Sequence, residues 1–168
     1  MRRLAPFAFF AALGGVSLSG CATGPGLGMT SRDAPAFVAV AASSDLFEIE
    51  SSRLALQRSR SPMLRMHAEM MIRDHSNMST QLKSAAASAG VGVPTQMLPM
   101  HVAMLDELAR SPTFDATYRS QQIASHREAL VLMDRYARRG NVPQLRGVAA
   151  ASVPVIRGHL DHAQRSGF

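Results

Sequence analysis

From Asp33 onward the apolar residues recur at alternating intervals of three and four, and no stretch alternates apolar with polar, a pattern that fits amphipathic helices and not strands. Pro35, Pro62, Pro112 and Pro143 stand at the starts of periodic segments, and Gly90 and Gly140 stand at the ends of two of them. A proline in a first turn loses an amide that has no helical partner in any case, and glycine suits a helix end. The expected elements are a first helix from about Asp33 to Arg60, a second from Ser61-Pro62 to about Ala89, a short helix around His101 to Arg110, a third long helix from Ser111-Pro112 to Gly140, and a fourth from Asn141 almost to the C-terminus. Two hairpins with tight turns and a longer link between them make an all-α four-helix bundle with a short extra helix in the connector. The apolar residues of that connector, Met97, Leu98, Met100, Met104, Leu105 and Leu108, are expected to cap the open end of the bundle.

The N-terminus reads differently. A charged start, Met1-Arg2-Arg3, an apolar stretch from Leu4 to Val16 and small residues before a processing point describe an export signal, too short to span a membrane. Leu18-Ser19-Gly20-Cys21 resembles the bacterial lipoprotein box, which implies a signal peptide over residues 1–20 and a lipidated Cys21 as first mature residue. Residues 21–32 are rich in Gly, Pro, Thr and Ser and read as a flexible tether, and residues 33–168 as the bundle domain. The expected partner is the membrane, through lipidated Cys21, with the domain in the periplasm. Ala22, where Asp would signal inner-membrane retention in enteric bacteria, favours the outer membrane. Without Arg2 and Arg3 the 18 basic residues fall to 16 against 12 acidic, an excess scattered along the chain with Lys83 the only lysine. That distribution argues against nucleic acid and leaves an envelope protein or polysaccharide as possible further partners. Cys21 is the only cysteine, so the fold holds without a disulfide.

Four ordered segments, FEIESSRLA (47–55), MHAEMMIRDHSN (66–77), FDATYRSQQIASHREAL (114–130) and VPVIRGHL (153–160), resemble the exported proteins of the domain-of-unknown-function 4142 family. The resemblance covers nearly all of the mature chain. It implies a ferritin-like bundle and an envelope location, and it brings no established activity.

The candidate functional residues are histidines on the core seams. His75 lies on the stripe Ala68, Met71, His75, Met78, Leu82; His126 lies among Ile123, Leu130 and Met133; His159 continues Leu145, Ala149, Ser152 and Ile156. Three of the four long helices therefore point an imidazole inward. A carboxylate from the first helix can reach the level of His75: periodicity favours Glu50, the family pattern favours Glu48. Asp74, Asp115 and Tyr118 complete the candidate polar set. His162 forms a His-x-x-His pair with His159, and Met71 and Met78 belong to a methionine-rich second helix that also carries Met63, Met66, Met70 and His67. Soft thioethers with imidazole suit Cu(I).

Two readings compete. In the first, the cluster is a buried hydrogen-bonded network that fixes helix register, and the protein is a non-catalytic structural or interaction lipoprotein without a cofactor. In the second, imidazoles and a carboxylate bind iron, copper or zinc in a periplasmic metal-binding protein. The sequence favours the network, because no acidic residue is followed three positions later by histidine, so the Glu-x-x-His pairs of di-iron bundles cannot be drawn. No nucleophile in a recognisable setting and no phosphate loop is present, so no enzymatic activity is expected. Pro154, inside the fourth helix, is expected to bend it before His159.

Overall fold

The structure, a computed structural model, describes residues 33–165. The expected signal peptide, the expected lipidation site Cys21 and the expected tether lie outside the described residues. Among the described residues there are five helices and no strand: α1 (Ala34–Arg58), α2 (Pro62–Ser88), α3 (Pro99–Arg110), α4 (Phe114–Arg139) and α5 (Pro143–Arg165).

Local chemistry sets the ends. Ser61 caps α2 by accepting the Leu64 amide, with Pro62 in the first turn, and Gly90 takes a positive φ of 67° where α2 stops. Pro112 departs from expectation: it lies two residues before α4, whose N-cap is Thr113. Ser111, held extended at φ −64° and ψ 128° as a residue before proline usually is, ends α3; its hydroxyl accepts the Thr113 amide and bonds Thr117 Oγ1. That turn delays the helix. Pro154 lies within a continuous α5 with its ring exposed, so the carbonyl it deprives of a partner is on the solvent side.

The hairpins α1–α2 and α4–α5 pack through α2 against α5 and α1 against α4. Phe37 at the start of α1 stacks on Tyr136 at the end of α4, so these helices are antiparallel, and α2 and α4 run the same way. The link between α2 and α4 must therefore climb the length of the bundle, and α3 does this lying along α1 and α4 rather than capping an open end. Ser43 on α1 holds it there, its hydroxyl accepting the Leu98 amide at 2.7 Å and meeting His101 Nδ1 at 2.6 Å. Met100 is left 42% exposed.

Two apolar clusters result. The larger holds Phe37, Val38, Leu82, Met133, Tyr136, Leu145 and Ile156; the smaller, at the opposite end, holds Ala55, Leu64, Ala68, Leu108, Phe114 and Tyr118. Between them lies a layer of buried polar side chains contributed by all four long helices, including Asp45, Glu48, His75, Gln122, His126 and His159.

Candidate metal centre

The register of the helices places the layer. Asp45 is 13 residues before Arg58, the end of α1, and His75 is 13 after Pro62, the start of α2, so the two stand at one level across the hairpin. Asp45 Oδ1 meets His75 Nδ1 at 2.9 Å. Glu48, one turn on, turns instead toward α4: its carboxylate accepts from Gln122 Nε2 at 2.6 Å and from the Ser125 hydroxyl, and lies 3.6 Å from His126 Nδ1.

His75, His126 and His159 converge at the centre, 2%, 1% and 3% exposed. One ring nitrogen from each lies within 4.8 Å of the other two. The outward nitrogens are all anchored. His75 Nδ1 is held by Asp45, His126 Nδ1 donates to the Gln122 carbonyl at 2.8 Å, and His159 Nε2 donates to Asp74 Oδ2 at 3.0 Å. These bonds leave His126 Nε2 and His159 Nδ1, 3.4 Å apart, with lone pairs facing inward. His75 Nε2 has no hydrogen-bond partner among the described residues. Histidines that bind metals are typically oriented in this way, with the second nitrogen tied to a carboxylate or a backbone carbonyl.

Burial sets the protonation states. It pulls His75 down to about 4 and His159 down to about 4, so both rings are uncharged at neutral pH. It also pushes Asp45 up to about 8, so the buried Asp45–His75 pair carries no charge: the carboxyl O–H donates to Nδ1 and Nε2 bears the ring hydrogen. Passing the Asp45 proton to Nδ1 and losing the Nε2 hydrogen completes a set of three inward lone pairs. Asp74 differs: burial raises it, but hydrogen bonds from Arg73 and His159 outweigh that and hold it below the usual carboxylate range. It also lines a groove of about 310 Å³ between α2 and α5, with Asn77, Met78, Ser152 and Val155, which brings solvent to the edge of the triad.

The other candidates separate. Glu50 is on the outside of α1, paired with Arg53 at 2.6 Å, so the choice between the two glutamates falls to Glu48. Asp115 stands half-exposed in the first turn of α4, about 16 Å along the helix from His126, where its charge favours the helix N-terminus. Tyr118 is buried in the smaller apolar cluster, its hydroxyl 2.8 Å from Ser52 Oγ. Met71 and Met78 are buried core residues. His162 is half-buried and meets His67 on α2, with the Nδ1 atoms 2.9 Å apart and the rings stacked at 5.0 Å.

Asp45 and Gln122 were not among the expected site residues. A signal for Asp45 exists: Val38, Ala41, Asp45, Glu48, Ser52 and Ala55 keep the three-four spacing of a buried stripe and are all buried. A search for apolar stripes passes over it because half its members are polar.

Fold and site together define an all-α bundle with a buried imidazole triad. The sequence matches, over residues 21–165, the family described as Domain of unknown function (DUF4142), and the chain belongs to that family. No curated protein sequence matches it. Among solved structures, CopM in the Cu(I)-bound form is similar with a TM-score of 0.66 at 17% identity, covering 79% of this chain and 93% of that one. CopM in the Cu(II)-bound form is similar with a TM-score of 0.64 at 19% identity, covering 79% and 94%. At this level of identity the likeness is one of fold.

Proposed function

We propose that this chain is a membrane-anchored metal-binding protein of the cell envelope that holds one transition-metal ion, copper before zinc or iron, between His75, His126 and His159. One observation carries the reading: three buried ring nitrogens lie within 4.8 Å of one another, and the opposite nitrogen of every ring is anchored. A structural network needs its members satisfied by one another. The Glu48 carboxylate meets that description, accepting from Gln122 and Ser125, whereas His75 Nε2, at the centre of the triad, does not; Gln122 Oε1 likewise has no partner among the described residues. Glu48 is therefore a supporting group and the imidazoles are the ligands.

Copper is favoured on two grounds. Nitrogen sites bind divalent copper more strongly than the other first-row ions, and the structural neighbours were solved with Cu(I) and Cu(II). Buried imidazoles that are uncharged at neutral pH bind without first shedding charge, and uptake releases the single hydrogen on His75 Nε2. The role is binding, not catalysis. Lipidated Cys21 ties the domain to the membrane, and each buried methylene of its acyl chains adds about 0.8 kcal/mol to that attachment.

The test is retention of metal by the full chain after loading with Cu(II) and exhaustive dialysis. One ion per chain is expected, and a chelator lowers the melting temperature by mass action, by about 2.7 kcal/mol of stability at a hundredfold excess of ion over its dissociation constant. His159→Leu loses the ion and keeps the helical content. Absence of stoichiometric metal in the parent chain, or its undiminished retention in His159→Leu, overturns the reading.

A further inference from the structure

His67 and His162 lie outside the triad. Their rings are parallel to within 3°, with centroids 5.0 Å apart and Nδ1 atoms 2.9 Å apart. His67 is 1% exposed while His162 is half-buried, so the pair reaches from the core to the surface. His67 stands eight residues before His75, about 12 Å along α2.

The neighbours of His67 on its own helix are thioethers. Met63, His67, Met70 and Asp74 occupy positions i, i+4, i+7 and i+11 of α2, one continuous stripe. That stripe faces α5, because His67 meets His162 and Asp74 meets His159 there. Met63 is 46% exposed and Met70 is half-buried, and each stands one turn from His67 on this stripe, Met63 before it and Met70 after it.

We propose that His67 and His162, with the thioethers of Met63 and Met70, form a second metal site selective for a soft monovalent ion, Cu(I) or Ag(I). Two imidazoles and two thioethers are a ligand set that soft ions prefer and hard ions do not. Metal–nitrogen bonds of about 2.0 Å at a tetrahedral angle need about 3.3 Å between the nitrogens, a few tenths of an ångström more than the metal-free pair shows. In that pair one Nδ1–H donates to the other Nδ1. Exchange of the hydrogen to Nε2 of the same ring, through solvent at half-buried His162, directs both Nδ1 lone pairs to the ion with no net proton released. Burial, and then the proximity of His162, holds His67 down to about 3, so it is uncharged at any physiological pH. The site uses none of the triad ligands and does not depend on the triad binding metal.

Cu(I) titration of the full chain in detergent, under reductant and against a chromophoric Cu(I) chelator, tests this together with X-ray absorption at the copper edge. His75→Gln, which removes a triad ligand, is expected to retain one Cu(I) with sulfur scattering. Met63→Leu combined with Met70→Leu is expected to abolish that scattering and to weaken Cu(I) binding at this site at least tenfold, while Cu(II) retention at the triad is unchanged. Leucine is close to methionine in volume, so the double variant should fold; Met63→Leu alone, at an exposed position, gives the same direction of change should it not. Loss of all Cu(I) in His75→Gln, nitrogen-only ligation in the parent chain, or undiminished sulfur scattering in the leucine variants each overturns the site. Failure of the triad reading is a different result: no Cu(II) retained by any variant, with sulfur-ligated Cu(I) intact.

Discussion

Burial holds His67, His75 and His159 at about 3, 4 and 4, below the ordinary 6.5, and lifts Asp45 from 3.8 to about 8. The consequences for stability have opposite signs. Lowered histidines contribute stability that is fully present above pH 6.5 and lost as pH falls toward 4, because the unfolded chain takes up protons the fold refuses. Raised Asp45 acts the other way: its contribution is greatest below the unfolded value of 3.8 and is lost as pH rises toward 8. Between 4 and 6.5 these three histidines, together with His101, which burial also lowers, outweigh one carboxyl, and between 6.5 and 8 Asp45 sets the slope. Urea denaturation of the metal-free chain across pH is therefore expected to show maximal stability near pH 6.5 to 7, a steep loss on acidification and a shallow decline to pH 8. A stability that climbs steadily from pH 6.5 to 8 contradicts the protonation of Asp45.

The same residues show how much of the site is legible in the sequence. Each triad histidine stands on an otherwise apolar stripe, and that contrast alone picks it out. His67 has no such contrast, since it sits at the edge of the buried face of α2, and its partner is fixed only by how α5 packs. Glu48 rather than Glu50 faces the core because the buried face of α1 is built largely from Ala, Ser, Asp and Glu, so apolar periodicity points to the wrong side.

Among the elements, the two hairpins and the long crossover follow from proline, glycine and periodicity, but the course of α3 does not. Its place is set by Ser43, His101 and the stacking of His101 on Phe47 at 5.6 Å, contacts between segments distant in the chain. The α4–α5 turn makes a demand that sequence does show. A Cβ on Gly140 would come within 2.4 Å of the Tyr136 ring, which is buried and stacked on Phe37 at 3.8 Å and cannot swing away. Gly140→Ala is expected to cost about 1 to 3 kcal/mol by overpacking, read as a lowered midpoint in thermal or urea unfolding with unchanged metal retention. An unchanged midpoint would show that the stacked pair can move.

Over the whole molecule, a polar layer divides the core into two apolar clusters, and the groove lined by Asp74 opens that layer to solvent. The proposed membrane attachment of this domain rests on Cys21. Cys21→Ser is expected to abolish acyl labelling and to release the chain from membranes or leave its signal uncleaved; unchanged attachment removes the lipoprotein assignment. The binding of metal by the triad is tested most directly by anomalous diffraction at the copper edge from crystals of the Cu(II)-loaded chain. The triad predicts a strong peak about 2.0 Å from His75 Nε2, His126 Nε2 and His159 Nδ1, with Asp45, Asp74 and the Gln122 carbonyl still bonded to the outer nitrogens. Copper absent from the centre of the bundle, with the three rings at their metal-free spacing, contradicts it.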